Sequence, residues 1–194
     1  MLYLPLLLYL GGSVGMNLTE ALTDLFTAAG PHLIAIDGPA GSGKSTLAKD
    51  LFLYFSAKRE VNLLGLDDIY DGWENALGEK LTNDLEKITQ AHANKTSISV
   101  PIFDWATSSY GTVREIKPRE ILIIEGVGSA QEITRAHNAI TIWMDIDPER
   151  GVQRVLERDG HHIASHMKAW QVIQSEHFAH SGAKDNADFI ITAQ

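Results

Sequence analysis

Apolar positions along this chain gather into short continuous runs, separated by stretches in which they recur at helical spacing. The runs are His32–Asp37 (HLIAID), Val61–Leu66 (VNLLGL), Glu120–Glu125 (EILIIE), Ala139–Ile146 and Asp188–Thr192. Each is rich in Ile, Leu or Val and continuous rather than alternating, as in strands buried on both faces. Between them, Leu47, Leu51 and Phe55 mark a helix from Lys44 to about Lys58. Leu81, Leu85 and Ile88 mark another that runs to about Ala93. Pro148–Arg158 and about His162–His180 also read as helices, and Ser97–Phe103 reads as extended. Near the start, Asn17 and Glu20 have the spacing of a capping box, Leu18, Leu22, Leu25 and Phe26 follow at helical spacing, and Gly30-Pro31 stops that helix. Short strands alternating with helices predict βαβ units. The expected fold is α/β, a mainly parallel sheet between two layers of helices.

In such a sheet, ligands collect at the carboxyl ends of the strands. The first run ends in Gly38-Pro39-Ala40-Gly41-Ser42-Gly43-Lys44-Ser45, followed by Thr46. This is the pattern G-x-x-x-x-G-K-[ST] of a phosphate-binding loop. Its glycines let backbone N–H groups curl around phosphates, its lysine reaches the β and γ oxygens, and its serine hydroxyl suits Mg²⁺. The helix behind it adds a positive N-terminal end. The strand before and the helix after supply the context the motif requires, so the chain is expected to bind a nucleoside triphosphate. The second run ends in Asp67-Asp68 and the third in Glu125-Gly126. A phosphate cradle, an aspartate pair and a glutamate are the inventory of phosphoryl transfer: one carboxylate serves the metal and another orients the attacking hydroxyl. The competing use of adjacent aspartates is a turn or a helix cap.

Composition narrows the partners. The 194 residues carry a formal charge of −9, which argues against a nucleic-acid partner. Absence of cysteine excludes disulfides, thiolate metal sites and cysteine nucleophiles. The length suits one domain, residues 16–194, with residues 1–15 as a separate problem. Met1–Leu10 (MLYLPLLLYL) is apolar but lacks a preceding Lys or Arg and is too short to span a bilayer. It reads as a hydrophobic arm or as a start assigned too early, with Met16 the working start. No stable membrane insertion is expected, a homo-oligomer is compatible with the pattern, and dependence on ATP points to the cytoplasm.

Other segments admit two uses. Phe103 and Trp105 flank Asp104, and could stack on a ring or simply fill the core. Arg150, Arg154 and Arg158 line one helix face and either close over the triphosphate or form a solvated face with Glu149 and Glu157. His162/His166 and His177/His180 have helical spacing, but no glutamate sits as a zinc hydrolase requires. Asn94-Lys95-Thr96-Ser97 lacks the aspartate of a guanine-reading motif and comes too early for one. A P-loop ATPase and a non-catalytic ATP-binding regulator are the alternatives to a kinase.

The run Ile34–Thr46 resembles small-molecule P-loop kinases, cytidylate and uridine kinases especially. Asp67-Asp68-Ile69-Tyr70 is similar to the Asp-x-Phe-Tyr of uridine kinases, and Pro101–Trp105 to their Pro-x-Tyr-Asp-Phe. The resemblance implies a three-layer P-loop NTPase fold, with a five-stranded parallel sheet of the nucleoside-monophosphate-kinase type, ordered 2-3-1-4-5. It implies ATP and Mg²⁺ as cofactors, and a small hydroxylated substrate, foremost a nucleoside. By the same resemblance Asp67 is the catalytic base, and Tyr70, Phe103, Asp104 and Trp105 contact the acceptor. Gly38 to Thr46 hold the triphosphate, Ser45 and Glu125 hold Mg²⁺, Arg154 and Arg158 belong to a lid, and Ala187 lies near adenine. Uridine kinases continue with a His-Ser-Arg segment that reads the pyrimidine. Ala106–Tyr110 here has neither that histidine nor that arginine.

Overall fold

The computed structural model describes residues 18–26 and 31–192. The N-terminal arm, the Asn17 cap and Gly30 lie outside the described residues. In chain order the elements begin with α1 (Leu18–Leu25), β1 (His32–Asp37), α2 (Lys44–Ser56), β2 (Val61–Gly65) and α3 (Glu79–Ala93). A hairpin follows, β3 (Ile98–Asp104) and β4 (Ser109–Ile116), then β5 (Ile121–Glu125), α4 (Glu132–Ala136) and β6 (Ile140–Asp145). The last elements are α5 (Pro148–Asp159), α6 (Ala164–Ser181) and β7 (Phe189–Thr192).

Five strands form one parallel sheet ordered β2-β5-β1-β6-β7. Leaving out the hairpin and counting only these five gives 2-3-1-4-5, the expected order. Successive residues of a strand point to opposite faces, and the core divides accordingly. Ile34, Ile36, Ile121 and Ile123 face α1 and α2 with Leu22, Leu51 and Phe55. Leu33, Leu122 and Ile124 face the other layer with Leu85, Ile88 and Trp170. Continuous apolar runs are thus explained by helices on both faces.

Three local features differ from the sequence-based expectation. Leu66–Asp68 forms a 3-10 turn rather than the end of β2, which swings Asp67 out of the sheet line. The strand β4 was not expected, because its residues are mostly exposed and show no apolar run. It is held by antiparallel pairing with β3, with a register shift at Ile102/Phe103. The short α4 is likewise too brief to leave a periodic signal.

Candidate active site

The site begins with the glycines of the loop after β1. Gly43 caps α2 at φ 94°, and Gly41 has φ 77°, backbone that side chains with a Cβ rarely adopt. A Cβ on Gly41 would also overlap the carbonyl of Gly151, and one on Gly151 would overlap the carbonyl of Ala40. The backbone of α5 therefore lies directly against the phosphate loop. A glycine inside a helix costs about 1 kcal/mol relative to alanine; here it permits this close approach. Gln174 on α6 adds a second tie, its Oε1 accepting from the Ala40 N–H at 3.1 Å.

Asp37 anchors the loop from below. It is fully buried and accepts N–H bonds from Gly38 (2.7 Å), Gly128 (2.9 Å) and Ala130 (2.9 Å). One carboxylate thereby fastens the phosphate loop to the segment after β5. Burial pushes its pKa up, with the three N–H bonds working against that shift. Sequence reading missed Asp37, Gly151 and Gln174. An acid closing a buried apolar run and a glycine inside a helix were the available signals for the first two. Gln174 left none.

Asp67, Glu125 and Lys44 share a cavity of about 390 Å³ at the carboxyl ends of β1, β2 and β5. Parallel pairing places Ile36 opposite Glu125 and Gly65 opposite Glu125, so both neighbouring strands end level with it. Lys44 is buried, and its Nζ donates to the Gly38 and Pro39 carbonyls at 2.8 Å each. Burial lowers its pKa, opposed first by Asp37 and then by Glu125 and Asp67. Burial also raises the carboxyl groups of Asp67 and Glu125; Lys44 pulls both back, and the Asp67 carboxylate raises Glu125 further. The Ser45 hydroxyl lies beside the Glu125 carboxyl and helps to hold its pKa down. This hydroxyl–carboxylate pair is a hard-oxygen donor set that suits Mg²⁺, which binds through one or two carboxylates plus substrate phosphates. Among the described residues no cluster of three or more His, Asp or Glu forms an all-protein metal cage.

Of the remaining expected residues, Gly41, Gly43, Lys44, Ser45, Thr46, Ala40, Tyr70, Trp105, Arg154 and Arg158 line the cavity. Arg154 also reaches the Gly41 carbonyl at 3.5 Å, while Arg158 forms a two-pronged pair with Asp159 at 2.6 and 2.7 Å. Arg150 is exposed and does not line it. Gly38 and Pro39 lend carbonyls to Lys44 instead of lining the cavity, and Ser42 is buried beneath the loop. Phe103 is core, in edge contact with Trp105 and Tyr110. Asp104 is exposed and accepts the N–H groups of Ala106 (2.9 Å) and Thr107 (3.4 Å), building the hairpin turn. Ala187 packs beside Ala35, Ala130 and Trp143, away from the cavity. Trp73, Val155, Met167 and Trp170 line it too, and sequence reading did not select them, because they come together only through folding.

The hairpin grips the turn that carries Asp67. Trp105 Nε1 donates to the Asp67 carbonyl at 2.8 Å, Tyr110 Oη to the carbonyls of Ile69 and Tyr70, and Arg114 pairs with Asp68 at 3.0 Å. Tyr70 in turn donates to the Val127 carbonyl at 2.7 Å, fixing this turn to the segment after β5. Asp68 is therefore committed to the hairpin, and Asp67 alone of the pair faces the cavity.

Comparison with known proteins agrees with the fold. No family model matches the chain. It is 27% identical over 180 residues to a uridine kinase of Mycoplasma genitalium, covering 82% of this chain and 84% of that protein. A uridine kinase of Halalkalibacterium halodurans is 28% identical over 143 residues, 66% of this chain and 67% of that one. Among solved structures, one described as a possible uridine kinase from Bacillus stearothermophilus superposes with a TM-score of 0.67 over 89% of this chain and 96% of its own. At 17% identity that likeness is one of fold. Fold and relatives together support a P-loop kinase. Within that class, the chain is similar to uridine kinases. No helix among the described residues is long and apolar enough to cross a membrane.

Proposed function

We propose that residues 16–194 act as a single cytoplasmic kinase domain that transfers the terminal phosphoryl group of ATP, with Mg²⁺, to the hydroxyl of a small acceptor. A nucleoside is the acceptor class that the named relatives suggest. The observation that carries the reading is the convergence of Asp67 with Lys44, Ser45 and Glu125 in one cavity at the ends of three adjacent strands.

Backbone N–H groups of Gly41, Gly43 and their neighbours bind the triphosphate, and Lys44 exchanges its loop carbonyls for phosphoryl oxygens. Ser45 and Glu125 would hold Mg²⁺, which would supply charge that neutralises the triphosphate. Asp67 accepts the proton of the acceptor hydroxyl as that oxygen attacks. Burial raises its pKa, which makes it a stronger base than an exposed aspartate. Arg154 and Arg158, on a helix packed against the loop, face the charge that develops on the transferred group. The test is acceptor-dependent formation of ADP across nucleosides, nucleotides and sugars, with Lys44→Ala as the blank. Acceptor-independent ATP hydrolysis throughout would replace the kinase reading with an ATPase.

A further inference from the structure

The sequence contains four tryptophans, and three of them, Trp73, Trp105 and Trp170, line the candidate active-site cavity. They come from separate segments: the loop before α3, the hairpin and α6. Trp73 sits at the centre, its ring centroid 5.3 Å from that of Trp105 and 6.0 Å from that of Trp170, both edge to face. Tyr70 extends the group, 5.7 Å from Trp170, and Met167 and Val155 close it with aliphatic surface. His166 stacks on Trp73 at 5.1 Å but does not line the cavity, so it backs the indole from outside.

This wall lies on the acceptor side. Trp105 bonds the Asp67 carbonyl, and Tyr70 and Trp73 follow Asp67 within one loop. The wall offers no side-chain amide or imidazole of the kind that reads a heterocycle's edge. Among the described residues no Asn, Gln or His lines the cavity, and the serine and threonine that do, Ser45 and Thr46, belong to the phosphate loop. The Tyr70 hydroxyl is spent on Val127 and the Trp105 indole N–H on Asp67. Of the charged α5 side chains that line the cavity, Arg158 pairs with Asp159, and Arg154 and Arg158 serve the phosphoryl group in the proposed mechanism. A site that hydrogen-bonds its ligand rejects analogues lacking those groups by about 10⁴-fold or more, whereas an apolar pocket distinguishes similar shapes weakly.

We infer that the acceptor is a primary alcohol carried on a flat ring, held by stacking against Trp73, Trp105 and Trp170 and not by hydrogen bonds to the ring's edge. The inference deepens the kinase reading, on which it rests for the placement of the hydroxyl at Asp67. It implies that base identity matters little and that the presence of a ring matters much.

The test uses four acceptors that share a ribose: uridine, 3-methyluridine, a ribofuranoside bearing a phenyl ring in place of the base, and D-ribose itself. Two quantities are read, acceptor-dependent ADP formation and quenching of intrinsic tryptophan fluorescence, to which three of the four indoles report from this cavity. The three ring-bearing compounds are expected to fall within about tenfold of one another in kcat/KM, and D-ribose to fall at least about a hundredfold below them. Trp73→Leu, checked for folding by circular dichroism, is expected to remove most of the ring advantage, bringing the ring-bearing acceptors toward D-ribose. A penalty above a hundredfold for 3-methyluridine or the phenyl compound would overturn the inference while leaving the kinase reading intact. Ring-dependent quenching with no transfer to any acceptor would overturn the kinase reading and leave ring recognition standing. Absence of both quenching and transfer would overturn both.

Discussion

The two halves of the candidate site are built by different means. The donor half is one continuous segment, Gly38 to Thr46, whose working parts are backbone N–H groups, a lysine and a hydroxyl held between β1 and α2. Its supports are also largely backbone: the carbonyls that hold Lys44, the close approach of Gly151, and the N–H groups gathered by Asp37. The acceptor half is assembled from side chains on the turn after β2, the hairpin, α5 and α6. Backbone recognition suits a ligand group that is always the same, a triphosphate. Side-chain recognition suits a partner that differs among proteins sharing the fold. Substitutions in the donor half, and at Asp67, should therefore strike transfer to every acceptor alike, and those in the aromatic wall of the acceptor half should strike selectively.

The largest expected effect in the donor half is at Lys44. Lys44→Ala removes the one buried cation of the loop and should lower transfer about 10²- to 10³-fold for all acceptors. Steady-state rates with two unrelated acceptors check this, and a loss confined to one would break the division between halves. Gly151→Ala comes next in the donor half. Its Cβ meets the Ala40 carbonyl, so the loop or α5 must shift, costing about 1–3 kcal/mol of stability and raising KM for ATP. Thermal melts and ATP titration would detect it, and unchanged values would mean that the close packing is not required.

Asp37→Asn should cost a similar amount, about 1–3 kcal/mol, because an amide cannot accept at both positions and faces a backbone N–H with a donor. Chemical denaturation measures that cost. On the acceptor side, Trp105→Phe keeps ring surface but removes the indole N–H from the Asp67 carbonyl. An ordinary hydrogen bond contributes about 0.5–1.5 kcal/mol, so kcat should fall roughly three- to tenfold with little change in KM for ATP. A change in KM for ATP instead would show that the hairpin also shapes the donor half.

The smallest effect concerns pH. Asp67 has its pKa raised by burial, so the folded protein holds that proton more tightly than the unfolded chain does. The ionised carboxylate therefore costs stability at neutral pH, a cost relieved as pH falls through the raised value. Asp67→Asn should melt slightly above the parent at neutral pH, with the gap narrowing as pH falls into the range where the folded carboxyl takes up its proton. The acid limb of the parent's transfer rate should likewise lie above the ordinary aspartate range.

The same contrast explains what could be read from the chain alone. The parallel sheet was legible because Ile34, Leu122 and their neighbours are buried on both faces and leave unbroken apolar runs. The phosphate loop was legible because its chemistry is contiguous. Asp67 and Glu125 were legible because each closes such a run at a strand's carboxyl end. Trp73, Met167 and Trp170 were not, since residues about a hundred positions apart meet only once α6 has crossed the sheet. Asp104 was assigned to the acceptor from its motif, yet its carboxylate caps the turn of its own hairpin. A local hydrogen bond of that kind is indistinguishable in sequence from a ligand contact.

Kinase action by this cavity is tested most directly at Asp67, by measuring acceptor phosphorylation and ATP binding side by side in the parent and in Asp67→Asn. The parent should form ADP and phosphorylated acceptor in equal amounts. The variant should lose about 10²- to 10⁴-fold in transfer while binding ATP with nearly the same Kd. Near-normal transfer by the variant, or ADP formation by the parent that ignores the acceptor, would contradict the assignment.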